Sequence, residues 1–390
     1  MKKNLNITPE GTRDYLFKEC TAVDYVCGKI RTVFENHRFH RVITPTLEFY
    51  DLFSVNSSGI SPESMFKTTD NSGRLIVVRP DSTLPIARMV STRLQNEIFP
   101  VRLYYDQPVY RNNPTLTGRS NEIMQLGVEL IGSVGKRADL EVINTALQSM
   151  QAISEDYRFE LGHSVIFSAL ENALDAPENV KEQIETYIEN KNYSALNDIL
   201  DHMESSDTVT AIRRLPSLFG GEEVFEKAEK YIKLPEALEA LSYLKNLYSE
   251  LRTLDCGDKI TVDLGLVQRN DYYSGIVFTG FIHGYGDAVL SGGRYDKIFD
   301  MYDISMGAAG FAININDIAE QARYTEKSNI PEVLVFAGDD KDIMKAIAYT
   351  EQLVKSGVKA QFSDLGDEAE AREFARRLGI KKFEVFGEEL

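Results

Sequence analysis

The sequence predicts an α+β protein: an antiparallel sheet with flanking helices, interrupted by a helical insertion and followed by a small C-terminal α/β domain. Three stretches carry that prediction. Residues 101–132, VRLYYDQPVYRNNPTLTGRSNEIMQLGVELIG, read as strand, loop, strand. Val101–Tyr110 is rich in aromatic and β-branched residues, Asn112–Gly118 holds Asn, Pro and Gly, and Ile123–Gly132 returns to alternation. Between about Ser168 and Leu254 strand signals disappear, and Glu/Lys-rich segments carry Leu, Ile and Ala at helical spacing. After a polar link at 321–331, short apolar runs alternate with helical patterns: strand Glu332–Ala337, helix Lys341–Lys355, strand Val358–Phe362, helix Glu368–Leu378, strand Lys381–Phe386. The expected domains are therefore 1–320, with the insertion at 168–254, and 332–390.

Size and composition suit such a chain. Its 390 residues are enough for two or three domains, and 43% hydrophobic with 26% charged residues is ordinary for a soluble globular protein. A net charge of −17 speaks against broad nucleic-acid binding, which needs clustered Lys and Arg to neutralise phosphates. Cys20, Cys27 and Cys256 stand at irregular spacing, which gives neither a disulfide framework nor a metal site. Cys27 falls on the apolar face of a predicted helix and reads as a small core residue. No apolar run approaches bilayer length, and MKKNLNITPEG has no hydrophobic segment after its two lysines, so a cytoplasmic location is expected.

Taken in order, Pro9–Asp14 is a turn-rich entry. Val23, Val26, Cys27, Ile30, Val33 and Phe34 follow helical spacing and predict an amphipathic helix over roughly 18–37. RFHRVITPTLEFYDLF predicts a strand around Val42–Thr44, ended by Pro45. Leu75–Val78 is a short apolar strand that runs into Arg79-Pro80-Asp81-Ser82-Thr83; Pro80 lacks an N–H and suits a strand end. Asp81, Ser82 and Thr83 are capping types for a helix at Leu84–Gln95, and capping accounts for one of the three. Leu140, Ile143, Ala146, Leu147, Met150 and Ile153 predict a helix over 139–153, and Phe159–Phe167 reads as a strand. Leu215–Gly221 breaks the helices of the insertion. Ile260–Leu266 is a strand with Asp263 directed away from its apolar neighbours; DYYSGIVF (271–278), LSGGRYD (290–296) and AAGFAININDI (308–318) follow. Two tyrosines in such a β-rich region are ordinarily core residues with satisfied hydroxyls.

The second strand of 101–132 sorts its residues by face. Met124, Leu126, Val128 and Leu130 face a core, which leaves Ile123, Gln125, Gly127 and Glu129 on the other side with Arg111 at the end of the first strand. Periodicity alone reads this as a hairpin with a solvated polar face; a buried carboxylate there would need a partner.

YYDQPVYR…GR…MQLGVELIG resembles motif 2 of the class II aminoacyl-tRNA synthetases, in the form found in histidyl-tRNA synthetase. Arg111, Gly118-Arg119, Gln125 and Glu129 match it without a gap. Pro9–Asp14 is similar to the Pro-x-Gly-Thr-x-Asp opening of that family, RFHRVITPTLEFYDLF to motif 1, and Gly310–Ile313 to part of motif 3. The C-terminal domain resembles the start of the anticodon-binding domain, truncated after its third strand. The resemblance implies a class II synthetase-like fold, a homodimer through motif 1, and a histidine pocket. In that pocket Asp81, Thr83 and Gln125 hold the amino group, with Asp81 one methylene shorter than the family's Glu. Glu129 and Tyr273 take the ring nitrogens, Tyr272 lines the pocket, and Arg111 is counted with this set.

The adenylation side departs from the family. Asp317 stands where motif 3 has an arginine, and Gln268 where an arginine precedes the Asp-Tyr-Tyr segment, with Arg269 one residue off and so on the opposite strand face. Ile123 replaces the adenine-stacking Phe, and Asn113 an acidic residue; Arg111 and Arg119 remain. A chain that keeps histidine recognition and loses ATP handling is similar to the ATP phosphoribosyltransferase regulatory subunits. That similarity implies a subunit without catalysis, cofactor or metal, assembled as a homodimer with the short-form catalytic subunit, with L-histidine as effector and no role for tRNA or a membrane. A divergent histidyl-tRNA synthetase and a free-standing histidine-binding regulator are the alternatives.

Overall fold

The computed structural model describes residues 6–54, 59–114, 118–267, 272–322 and 330–387. The chain divides into two compact units, Met1–Tyr324 and Thr325–Leu390.

The first unit opens with α1 (Lys18–Asn36), which buries Ala22, Val26, Cys27, Ile30 and Phe34 on its apolar stripe. Four short strands follow: β1 (His40–Arg41), β2 (Leu47–Phe49), β3 (Lys67–Thr69) and β4 (Leu75–Val78). Then come α2 (Thr83–Arg93), the hairpin β5 (Val101–Tyr110) and β6 (Glu122–Ile131), and α3 (Lys136–Ile153). β7 (Tyr157–His163) turns directly into α4 (Ser164–Asn172). The insertion adds α5 (Glu178–Glu189), α6 (Tyr193–Asp201), α7 (Asp207–Arg214), β8 (Phe219–Gly220), α8 (Glu223–Tyr231) and α9 (Pro235–Leu251). β9 (Ile260–Asp263), β10 (Ile276–Ile282), β11 (Leu290–Arg294), β12 (Ala308–Asn314) and α10 (Asn316–Gln321) close the unit.

Among the described residues the main sheet has nine strands in the order β1-β5-β6-β12-β11-β10-β7-β9-β8. It is antiparallel except where β1 joins β5 and β7 joins β9. Both of its faces are covered. On one lie α1, α3 and the insertion, whose apolar residues form one continuous core with the sheet. On the other, Phe53, Leu84, Ile86, Tyr105, Tyr272, Tyr295 and Phe299 form a second cluster. This second layer corrects the expectation of a solvated hairpin face: Gln125 and Glu129 lie beneath it and are buried. The period of β6 records two faces, and only the elements packed on each decide which is wet.

Three boundaries also differ from the sequence reading. Residues 42–46 are not a strand: in their middle, both backbone groups of Thr44 are taken by buried side chains. The Gln107 amide accepts from the Thr44 N–H at 3.2 Å, and the Arg79 guanidinium donates to the Thr44 carbonyl at 2.8 Å and the Pro108 carbonyl at 2.8 Å. β7 ends at His163, and Val165–Phe167 are helical although β-branched and aromatic, because α4 buries Ile166, Phe167, Ala169 and Leu170. The break at Leu215–Gly221 contains β8, which pairs with β9 through Phe219 opposite Asp263 and Gly220 opposite Val262.

In the second unit β13 (Val333–Ala337), α11 (Ile343–Lys355), β14 (Ala360–Phe362), α12 (Glu368–Leu378) and β15 (Lys382–Phe386) build a parallel sheet in the order β14-β13-β15. No helix among the described residues is long and apolar enough to cross a membrane. Most of the expected 321–331 link lies outside the described residues.

Candidate binding site

The site forms where the buried face of β6 meets the entry of α2. Glu129 is 1% exposed. Its Oε1 accepts a hydrogen bond from the Thr83 hydroxyl at 2.8 Å, and its Oε2 accepts a short one from the Tyr295 hydroxyl at the end of β11. Burial pushes the Glu129 carboxyl up to about 8; the two hydrogen bonds oppose that rise and the negative charge of Asp81 adds to it. Asp81 is raised as well, by burial first, against the pull of the Leu84 N–H and the charge of Arg111. Its Oδ1 accepts from the Leu84 N–H at 2.9 Å, so this carboxylate caps α2 while facing Glu129.

Close backbone approach makes room for these groups. Gly310 pairs with Glu129 across β12 and β6, and a Cβ there would run into the Glu129 carboxylate and the Val128 carbonyl. Gly310→Ala is therefore expected to cost about 1–3 kcal/mol by overpacking. Urea unfolding of the first unit checks it; an unchanged midpoint would show that the carboxylate can swing aside. A Cβ on Gly293 would meet the Tyr273 ring at 2.7 Å. Tyr272 packs at 5.0 Å from Tyr273 and edge-on at 5.9 Å from Tyr295, between ring centroids.

The structure brings Asp81, Thr83, Gln125, Glu129, Tyr272 and Tyr273 to one region, with different partners from those expected for some. Thr83, expected at an amino group, gives its hydrogen to Glu129. Gln125 accepts from the Tyr105 hydroxyl at 3.3 Å and donates to Asn314 Oδ1 at 3.1 Å. Arg111 is exposed at the rim, its Nε donating to the Pro80 carbonyl at 3.4 Å, and it acts on Asp81 through charge. Tyr105 and Asn314 were missed, and Tyr295 was seen only as part of the Gly-Gly-Arg-Tyr-Asp segment that resembles the family's pocket wall, without a role of its own. The signal for the first two was register: Tyr105 pairs with the small Gly127, and Asn314 with Gln125.

Beside this region a cavity of about 850 Å³ is lined by Glu10, Arg13, Asn113, Arg119, Asp317 and Glu320, among others. The Arg13 guanidinium is already engaged, at 2.7 Å from Glu320 and 3.3 Å from Glu19, and stacks 4.4 Å from the Tyr15 ring centroid. The Asp317 carboxyl is raised by burial and then by Glu320 and Asp287. Three carboxylates against two guanidiniums, one of them already paired, make this lining a poor match for a triphosphate. Gln268, Arg269 and Asp271 lie outside the described residues. Among the described residues no three His, Cys, Asp or Glu side chains are grouped to hold a metal ion.

Comparison with known proteins gives the family. The family profile described as histidyl-tRNA synthetase matches residues 11–318. An ATP phosphoribosyltransferase regulatory subunit of Clostridium acetobutylicum is 36% identical over 96% of this chain and 93% of its own length. One of Bacillus cereus is 35% identical over 97% and 91%. The solved structure of an ATP phosphoribosyltransferase regulatory subunit/histidyl-tRNA synthetase from Bacillus halodurans superposes with a TM-score of 0.84 at 27% identity, covering 98% of both chains. Histidyl-tRNA synthetase from Nostoc, at 17% identity and a TM-score of 0.76, shares the fold. On these grounds the chain belongs to the ATP phosphoribosyltransferase regulatory subunit family, built on the histidyl-tRNA synthetase fold.

Proposed function

We propose that this chain is a non-catalytic, cytoplasmic subunit that activates the short-form ATP phosphoribosyltransferase catalytic subunit and carries feedback inhibition by L-histidine. The observation that supports it best is the contrast between the two halves of the site. Asp81, Thr83, Glu129 and the surrounding tyrosines keep the donors and acceptors that an amino acid with an imidazole needs, whereas Asp317 and Glu320 make the neighbouring cavity hostile to phosphate. Histidine then acts by linkage: it shifts the assembly toward the state it binds more tightly, by no more than its differential affinity. A homodimer through the motif 1 segment at residues 38–53, the domain limits 1–320 and 332–390 and the absence of a cofactor belong to the same reading.

Glu129→Ala is expected to abolish histidine inhibition of the assembled enzyme while co-elution with the catalytic subunit is retained. Inhibition unchanged from the parent would place the effector elsewhere, for instance at a subunit interface. A second measurement separates this reading from a divergent synthetase: histidine-dependent ATP–pyrophosphate exchange should stay at background. If the chain neither activates the short-form catalytic subunit nor co-elutes with it, a free-standing histidine-binding regulator becomes the better account.

A further inference from the structure

We propose that this pocket binds L-histidine through one shared proton: Glu129 holds it in the free protein and shares it with the imidazole in the complex, so that affinity peaks near neutral pH. The inference rests on the reading of the pocket as the histidine site and adds its proton accounting.

The geometry carries it. Glu129 is almost wholly enclosed, and among the described residues the groups that act on it come from several elements. Asp81 and Thr83 stand at the entry of α2, Tyr105 on β5, and Tyr272 and Tyr295 on the segments before β10 and after β11. One of these is a second carboxylate, and among the described residues no cation is one of the groups that act on Glu129. Arg111, the guanidinium at the rim, is turned to the Pro80 carbonyl and moderates Asp81 instead. Two carboxylates in a space of low dielectric, with no cation buried between them among the described residues, do not both ionise at neutral pH. Asp81 has the Leu84 N–H and the charge of Arg111 to favour its anion, so Glu129 keeps the proton, with its pKa near 8.

An unperturbed imidazole titrates at about 6.5. A ring nitrogen placed against Glu129 makes either an imidazolium–carboxylate or an imidazole–carboxylic acid pair. The two differ only in which atom the proton rests on, so the contact holds one proton in either form. At pH 5.5 the separated partners carry nearly two protons, and binding releases close to one. At pH 7 they carry about one, and exchange is near zero. At pH 8.5 they carry roughly a quarter of a proton, and binding takes up most of one. Apparent affinity correspondingly falls about threefold from pH 7 to 8.5 and about eightfold from pH 7 to 5.5.

Isothermal titration calorimetry of the full chain with L-histidine, in pairs of buffers with different ionisation heats, reads these numbers directly. The alkaline uptake decides, because titration of Asp81 can add only to release on the acid side. The share that belongs to Glu129 is the difference between parent and Glu129→Gln, from which the ligand's own ammonium cancels, and it is expected to be most of one proton. A difference below a tenth of a proton at pH 8.5 would overturn the shared proton and leave the histidine site standing. Absence of any histidine heat at all three pH values would overturn the site itself.

Discussion

Replacing Arg294 with Ala is expected to lower the stability of the first unit by about 3–5 kcal/mol. The guanidinium is buried at the end of β11, with a side-chain exposure of 7% against 2% for its partner Asp139 on α3. Nε donates to Asp139 Oδ1 at 2.8 Å and Nη2 to the same oxygen at 2.5 Å, while Nη1 reaches Asp296 at 3.0 Å. The other Asp139 oxygen accepts from the Tyr243 hydroxyl of α9 at 2.5 Å. One residue thus joins the sheet, α3 and the last helix of the insertion. Its removal leaves a buried carboxylate with a phenol as its main support, and that uncompensated charge, more than the lost attraction, sets the size of the effect. Denaturant unfolding of Arg294→Ala, Asp139→Ala and the double variant checks this. The two losses should fall well short of adding, since the second substitution removes the charge that the first exposed. Additive losses, or a single loss under about 1 kcal/mol, would mean that water already reaches Asp139.

The second large effect concerns pH. Glu129 titrates near 8 in the folded chain, against an ordinary value of 4.5. Between those values the unfolded chain has given up the proton that the folded chain keeps, so the folded state binds more protons and stability falls as pH rises. The contribution is fully present below pH 4.5 and is lost once pH has passed through about 8. Gln copies the protonated acid in shape and cannot ionise. Glu129→Gln should therefore match the parent near pH 4.5 and exceed it above pH 8, by something of the order of 3–5 kcal/mol. Unfolding free energies measured across that range test the sign as well as the size. A variant less stable than the parent at pH 8.5 would show that the carboxylate is held as an anion by its Thr83 and Tyr295 hydrogen bonds.

Some of this molecule is local information. Helical spacing at Val26, Cys27, Ile30 and Phe34 marks α1, and alternation through Met124–Leu130 marks β6, because side-chain periodicity is set by backbone geometry before any tertiary contact forms. The matched spacing of Arg111, Gln125 and Glu129 pointed to one family for the same reason: residues on one strand and one loop keep fixed offsets. The α+β class, the run of helices between residues 168 and 254 and the family were legible from such patterns.

The site was legible only in part. Asp81 and Thr83 are 48 and 46 residues from Glu129 along the chain, and a family pattern, not periodicity, placed them together. That Thr83 bonds to Glu129, that Tyr295 closes on the same carboxylate and that Gly310 admits it against the backbone depend on strand register and on which helix covers which face. Residues 42–46 and 164–167 fail as strands for a related reason: buried Arg79 and Gln107 capture backbone groups in one case, and packing against the insertion overrides β-propensity in the other. The amino-acid order alone set the periods, the turns and the kinds of group available. Whether a carboxylate on β6 would sit in water as an anion or be enclosed with a retained proton was set by the second layer over the sheet, because desolvation is a property of everything packed around a group and of no single stretch of chain.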